Sequence, residues 1–200
     1  MSDKRTTYAI GAIVVAFALV LGTVAGSTSL TPISVASQDP MQMTGHVILT
    51  LTDADGDIKA YRQTDNIIVH NGMDCSADLL FGDITTGLCS GESVWTFIAI
   101  GSDNTALDVT DPGLGTEITV STPARGGTVD AEVPATGSTG AKKTIKQAFV
   151  ITASDTVEEV GLFDIVTSNG GNMLSRLLIS PAIPVLSGDT VTIKYVVEVG

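Results

Sequence analysis

The sequence predicts an all-β protein: an antiparallel β-sandwich of jelly-roll or immunoglobulin-like type, with one short helix and an N-terminal hydrophobic helix or leader ahead of it. Three observations predict this fold. Short apolar segments recur every dozen or so residues and are separated by Gly, Pro, Asn and Asp. Glycine supplies 21 of the 200 residues, which favours tight turns. Aromatic residues are only 4% of the chain, so Val, Ile, Leu and Ala must fill the core.

The N-terminus carries a long uncharged segment. Tyr8–Ala25 contains no charged residue, and Lys4 and Arg5 lie just before it. This pattern predicts a signal peptide or a signal anchor over residues 1–26. A buried helix of a soluble domain is the alternative, but the run is apolar on all sides. We therefore expect export, an extracellular or cell-surface location, and membrane contact through residues 8–25 before processing.

An extended tether or donor strand is predicted over residues 27–44. This stretch is polar, contains two prolines and spaces its apolar residues loosely. Leu30, Ile33 and Val35 are the residues that an assembly strand would present to a partner, because side-chain pockets set the register of an added strand. The remaining residues, 45–200, are enough for one β-sandwich domain with a single core.

The first half of this domain alternates between strand and turn signals. Val94–Ile100 is apolar throughout, so we place it in the centre of a sheet. Met73, Ala77, Leu80 and Phe81 are apolar residues at helical spacing, and they predict the short helix. The predicted elements are the strands His46–Thr52, Ile58–Gln63, Asn66–His70 and Val94–Ile100 and the helix Met73–Phe81.

The second half contains two weak and four strong strand signals. The weak signals flank the Gly126-Gly127 turn, and the strong signals are rich in Val, Ile and Thr. Pro181–Gly188 is predicted to break the chain between the last two strands. The predicted strands are Glu117–Thr122, Thr128–Val133, Thr144–Thr152, Glu158–Phe163, Asn172–Ile179 and Thr190–Val199.

The two cysteines predict one disulfide. Cys75 and Cys89 stand fourteen positions apart in a chain that we expect to be exported. Closing this loop would contribute on the order of 3 kcal/mol in the chain-entropy model. The alternative is a pair of free buried thiols.

Two acidic loops are candidate cation sites. Asp53, Asp55 and Asp57 alternate as at the start of a calcium loop, although Gly56 stands at the fourth place instead of the sixth. Calcium is the cofactor that such a site would take, and the alternative is a hairpin turn whose carboxylates face water. The second loop could bind a cation weakly or be solvated, and it carries Asp103, Asp108, Asp111 and Glu117.

Charge and motifs disfavour nucleic-acid binding and catalysis. The net charge is −12, and such a surface repels phosphate backbones. Neither histidine lies within a recognisable Ser or Cys motif, and adjacent Glu158 and Glu159 would point to opposite faces of a strand. Ser175 and Arg176 lie inside a predicted strand, where we expect them to face solvent. We therefore expect neither a nucleic-acid partner nor an enzyme, and no cofactor besides calcium.

From residue 66 onward, six motifs follow one another in a fixed order. They are Asn66–Gly72, Phe97–Gly101, Leu114–Glu117, Glu159–Asp164, Met173–Arg176 and Ser187–Tyr195. This order resembles that of β-rich structural proteins found in tailed-phage virions and in related archaeal genomes. The resemblance covers roughly the last two-thirds of the chain and implies an assembly protein without catalytic residues.

A hydrophobic segment ahead of a β-sandwich also resembles archaeal surface-filament subunits. In the pilin-like kind the apolar helix is retained as the filament core. In the bundling-pilus kind the leader is removed and an N-terminal strand inserts into the next subunit. Lys4-Arg5-Thr6 departs from the pilin-peptidase pattern, which has Gly or Ala just before the cut. The second kind therefore fits better.

The sequence leads to one main hypothesis on function and two alternatives. The main hypothesis is a secreted structural subunit of a pilus-like filament on the cell surface, self-assembling with identical copies through its β-sandwich. The first alternative is a virion structural protein, from the tail or capsid of an archaeal virus or provirus. The second alternative is a cation-dependent surface adhesion module that uses the acidic loops.

Overall fold

The structure is a computed structural model that describes residues 42–81, 95–133 and 140–200. The predicted leader and the assembly residues Leu30, Ile33 and Val35 lie outside these ranges. The described elements are β1 (Met43–Thr52), β2 (Ile58–Asp65), β3 (Ile67–Ile68), α1 (His70–Phe81), β4 (Phe97–Gly101), β5 (Ser121–Thr122), β6 (Arg125–Gly126), β7 (Thr128–Val133), β8 (Ala141–Ile151), β9 (Asp155–Phe163), β10 (Met173–Val185) and β11 (Thr190–Val199).

The described strands form two antiparallel sheets. The first has the order β2-β1-β11-β8-β5, and β7 also pairs with β8. The second has the order β3-β10-β9-β4-β6. The predicted all-β fold, with antiparallel sheets and one short helix, is confirmed for the described part of the chain.

The core lies between the two sheets, because one face of each of the long strands β1, β8 and β11 in the first sheet is apolar. Val47, Leu49 and Leu51 alternate along β1 and are almost completely buried. Ile193 and Phe149 lie on neighbouring strands and are also buried in this core. This period of two is what the alternating sequence predicts for a half-buried strand.

The second sheet is buried more completely. The last five residues of β9, Glu159–Phe163, are all buried. β4 pairs with β9 on one side and with the two-residue β6 on the other, so the prediction of an internal position for this strand is confirmed. Strands covered on both faces do not alternate between apolar and polar residues.

The break predicted at Pro181 is wrong, because β10 continues to Val185. β10 and β9 go out of register between Leu178 and Ile183, so both neighbours of Pro181 lie in an irregular stretch. Among the described strands, β3 is the only partner on the other side of β10, and it pairs only with Ser175 and Arg176. A proline is tolerated at such a bulged edge because no ladder bond needs its missing N–H.

The strand predicted over Asn66–His70 is shortened to β3, because the helix begins at His70 instead of Met73. The amide of Met73 donates to the carbonyl of Val69 at 3.1 Å, which starts the first turn early. The strand predicted from Glu117 is likewise reduced to β5 and a single bridge between Gly101 and Glu117.

α1 packs on the sandwich with its small residues and not with its apolar stripe. Gly72 and Cys75 are buried. Met73 and Leu80 are 47% and 63% exposed, and Ala77 between them is exposed as well. Three of the residues whose spacing predicts the helix therefore lie on its outer side, whereas an apolar stripe of this kind normally faces the core.

Gly72 allows the helix to approach the second sheet. A Cβ atom at this position would lie 2.5 Å from both the Cα and the carbonyl oxygen of Leu174. Backbone atoms of a paired strand cannot move aside without moving the sheet.

We expect Gly72→Ala to lower the melting temperature, although replacing a helical glycine by alanine ordinarily stabilises by about 1 kcal/mol. The added methyl group would push α1 away from Leu174. Thermal denaturation followed by circular dichroism measures the effect. Gly113→Ala is the matched control, since a Cβ there meets no atom within 4 Å. A melting temperature raised by Gly72→Ala would contradict the close approach.

Candidate functional site

The first acidic loop is a hairpin turn between β1 and β2. The carboxylate of Asp53 accepts hydrogen bonds from the backbone amides of Asp55 at 3.0 Å and Asp57 at 2.9 Å. Gly56 has a φ of 91°, a left-handed conformation that suits glycine. Across the described residues, no group of three or more His, Cys, Asp or Glu side chains is placed to hold a metal ion. The geometry is that of a turn closed by Asp53, with Asp55 and Asp57 beside it.

The second acidic loop, residues 102–118, is also internally bonded. The amide of Thr105 donates to Asp103 at 2.6 Å, and the amide and hydroxyl of Thr110 donate to Asp108 at 2.8 and 2.6 Å. Hydrogen bonds from the side chains and amides of Thr105 and Thr110 lower the pKa of Asp103 and Asp108, respectively. Asp111 accepts the amide of Asp108 at 3.0 Å, so three of the four acidic residues shape the loop.

Arg176 is buried, and the prediction that it faces solvent is wrong. Its guanidinium donates from Nε to Glu159 at 2.7 Å and from Nη1 to Asp111 at 2.8 Å, with Asp103 at 3.9 Å from Nη2. Only 2% of Arg176 and none of Glu159 is exposed. Burial alone would lower the pKa of Arg176, but the bonds to Asp111 and Glu159 outweigh it and raise the pKa.

Glu159 connects this ion pair to the loop backbone. Its carboxylate also accepts the amides of Gly115 at 3.3 Å and Thr116 at 3.1 Å. One carboxylate on β9 thus holds an arginine on β10 and the backbone of residues 115–116 together. Through these charge-assisted hydrogen bonds, Glu159 fixes the positions of β9, β10 and the loop relative to one another.

Arg125 holds the same loop at a second place. We call the contacts of Arg176 and those of Arg125 the two arginine clamps. The guanidinium of Arg125 makes a bidentate pair with Glu117 at 2.8 and 2.7 Å and lies 3.7 Å from the centroid of the Phe163 ring. Nη1 donates to the carbonyl of Gly170 at 2.9 Å, and Glu117 also accepts the amide of Asn169 at 2.9 Å. The clamp joins the loop to the turn between β9 and β10.

Ser175 and the two histidines are not brought together. Ser175, expected to face solvent, is fully buried and its hydroxyl contacts the hydroxyl of Tyr195 in the core. Burial raises the pKa of Tyr195 far above its ordinary value of 10.0. His46 lies on β1 opposite Val196, while His70 is exposed at the start of α1. Ser175 therefore lies in the core and not in a cleft that a substrate could enter.

Sequence reasoning missed both arginine clamps. A signal for one was present, because Arg176 is the only charged residue between Met173 and Val185. When an apolar strand is buried on both faces, an arginine within it must pair with carboxylates, because an unpaired buried charge is strongly unfavourable.

An apolar groove lies beside α1, and an apolar cleft opens next to it. The two cavities have volumes of about 250 and 490 Å³ and share Met43. The groove is lined by Met43, Ile68, Met73, Ser76, Ala77, Leu80 and Val199. The cleft is lined chiefly by Met43, Trp95, Val129, Ile145, Leu174 and Val197.

Cys75 lies on the buried side of α1, is 0% exposed and is engaged in a disulfide. The other cysteine of the chain is Cys89. That residue lies outside the described ranges, so the Cys75–Cys89 pairing stays a prediction.

Within residues 42–81, 95–133 and 140–200, no helix is long and apolar enough to cross a membrane. The segment that we expect to contact the membrane, residues 8–25, lies outside these ranges.

No protein-family model, no curated protein and no solved structure matches the chain.

Asp189 anchors the turn between β10 and β11 to the edge strand β2. Its carboxylate accepts the amide of Leu186 at 2.9 Å and the ammonium group of Lys59 at 2.7 Å. Burial raises the pKa of Asp189, but the bonds from Lys59 and Leu186 lower it by more, so its pKa falls below the ordinary value of 3.8.

We expect Arg176→Met to lower the free energy of unfolding by about 3–5 kcal/mol, because the buried Glu159 would keep its charge without its partner. Urea denaturation measures this loss. The control is Lys142→Met, since Lys142 pairs with Glu198 at 2.9 Å where both side chains are more than a third exposed. This exposed pair should contribute less than about 1 kcal/mol. Equal losses in the two variants would contradict a buried clamp.

We expect Asp189→Asn to lower the melting temperature at neutral pH but not in strong acid. A carboxyl group whose pKa is lowered by folding stabilises the protein above its unfolded pKa. That contribution is lost as the pH falls through the lower folded pKa. Melting curves of both proteins from about pH 7 to pH 2 should therefore converge at the acidic end. Asp130→Asn, at an exposed position on β7, is the control. A difference independent of pH would refute the ionic origin.

Proposed function

We propose that this protein is a structural subunit of an extracellular pilus-like filament, without enzymatic activity, that assembles by adding its N-terminal segment as a strand to the next copy. The sandwich is of jelly-roll or immunoglobulin-like type in this proposal, and residues 8–25 form the hydrophobic helix of an export leader. Strand addition uses main-chain hydrogen bonds for affinity and side-chain pockets for specificity.

The observation that carries the proposal is an open apolar surface at the place where the N-terminal segment joins the sandwich. β1 begins at Met43, and this residue lines both the groove and the cleft. Exposed Met73 and Leu80 extend the surface along α1. A contiguous exposed apolar surface on a soluble domain typically marks a contact with a partner.

The buried arginine clamps support a structural role over a catalytic one. Three donor nitrogens of Arg125 and two of Arg176 have an acceptor on the protein itself. Neither guanidinium is therefore presented to an incoming substrate. Buried hydrogen-bond networks of this kind fix one arrangement of loop and sheet. A filament subunit needs such a rigid arrangement because it transmits force to its neighbours.

We expect Leu30→Asp, Ile33→Asp and Val35→Asp, combined in one chain, to abolish filaments. Three carboxylates cannot enter apolar pockets without a large desolvation penalty. The exported chain and this variant would be compared by negative-stain electron microscopy and by size analysis in solution. The control carries the same added charge at neighbouring serines, as Ser29→Asp, Ser34→Asp and Ser37→Asp, and should still form filaments.

Two outcomes would argue against this function. An unsubstituted exported chain that stays monomeric at all concentrations would refute self-assembly. Filaments that persist in the Leu30, Ile33 and Val35 variant would refute strand addition through these residues. Recovery of the protein in purified virus particles would favour the virion alternative over a cell-surface filament.

A further inference from the structure

The apolar stripe of α1 has no covering element among the described residues. Met73, Ala77 and Leu80 are spaced four and three residues apart and are all exposed. Their helix is already fixed through its opposite side, where Gly72 contacts the backbone of Leu174. Within the described part of the chain, the stripe is therefore not needed to hold the helix in place.

The stripe forms one wall of the apolar groove, and the ends of two central strands form the other. Met43 is the first residue of β1, and Val199 is the last residue of β11. These two residues are paired in the first sheet. The groove thus lies at the end of the sandwich where the N-terminal segment enters and where β11 ends.

The chain that precedes Met43 supplies a fitting occupant. Leu30, Ile33 and Val35 are aliphatic residues in an otherwise polar stretch. Seven residues lie between Val35 and Met43, and the eight steps from one to the other span up to about 26 Å in an extended chain. Aliphatic side chains of this size match a groove lined by Met, Leu, Ile and Val.

The direction of the chain favours the groove of a neighbouring copy. Gln42 and Gly200 exchange two main-chain hydrogen bonds, of 2.5 and 3.0 Å, which continue the ladder between β1 and β11. A chain that continued in the direction of this ladder would run away from its own groove. It would reach the groove of a neighbouring copy without reversing its direction, and this favours a second copy as the acceptor.

We infer that the groove between α1 and the Met43–Val199 pair is the acceptor site for Leu30, Ile33 and Val35 of a second copy of this chain. This inference rests on the proposed filament function and names its contact surface. The incoming side chains pack against the stripe formed by Met73, Ala77 and Leu80. The adjoining cleft at Trp95 provides further apolar surface next to the groove.

The test uses site-specific cross-linking within assembled full-length chains. One chain carries Ile33→Cys and the other Ala77→Cys, with tags of different size, and a short bismaleimide joins free thiols while leaving an existing disulfide intact. We expect a cross-linked species that contains both tags. Val150→Cys replaces Ala77→Cys in the control, because Val150 is 48% exposed on β8 and does not line the groove. Met73→Cys serves as a second acceptor variant should Ala77→Cys fail to fold.

Each outcome bears on the inference. A mixed-tag product from Ala77→Cys or Met73→Cys, with at least tenfold less from Val150→Cys, supports it. Filaments that give no mixed-tag product overturn the groove assignment and leave the filament function standing. A link confined to single chains, seen when Ile33→Cys and Ala77→Cys are combined in one chain, shows that the segment covers its own groove and also overturns it. An absence of any assembly in the unsubstituted chain overturns the filament function together with the inference.

Discussion

The buried pair of Arg176 and Glu159 is the interaction that fixes the second sheet and its long loop in one arrangement. Moving two charges out of water is unfavourable, and only close, hydrogen-bonded geometry offsets this penalty. Here the offset comes from Asp111 on the loop and from the amides of Gly115 and Thr116, which also bond to the pair. Loop and sheet consequently stabilise each other, since neither charge is satisfied without both.

The second clamp extends this arrangement to the flank of the sandwich. Arg125 lies in β6, within a stretch that leaves the first sheet after β5, pairs briefly with β4 and returns to the first sheet as β7. Its pair with Glu117 therefore attaches the crossing chain to the same loop. This crossing joins the two sheets on one flank, and the apolar cleft lies beside it, because Val129 of β7 lines the cleft.

The sequence predicts correctly the strands that have one buried and one exposed face. The prediction fails for strands that are buried on both faces. β7 and β11 have the predicted bounds, and β1 and β2 differ by only a few residues, because alternation marks a half-buried strand. The expectation that Ser175 and Arg176 face solvent fails because β10 is buried on both faces from Met173 to Leu177. The sequence identifies Asp111 and Glu117 as acidic loop residues. Their respective partners Arg176 and Arg125 lie 65 and eight positions away, and sequence spacing carries no signal for such contacts.

One residue beside the groove gives the protein an intrinsic optical reporter. Trp95 is the sole tryptophan of the chain, lies half-buried at the cleft and donates its indole N–H to the hydroxyl of Ser76 on α1 at 3.2 Å. Because indole emission shifts to shorter wavelength when its surroundings become drier, any molecule that fills the cleft changes the colour of this single fluorophore. Occupancy can thus be followed in real time in the unlabelled wild-type protein, without attaching a dye.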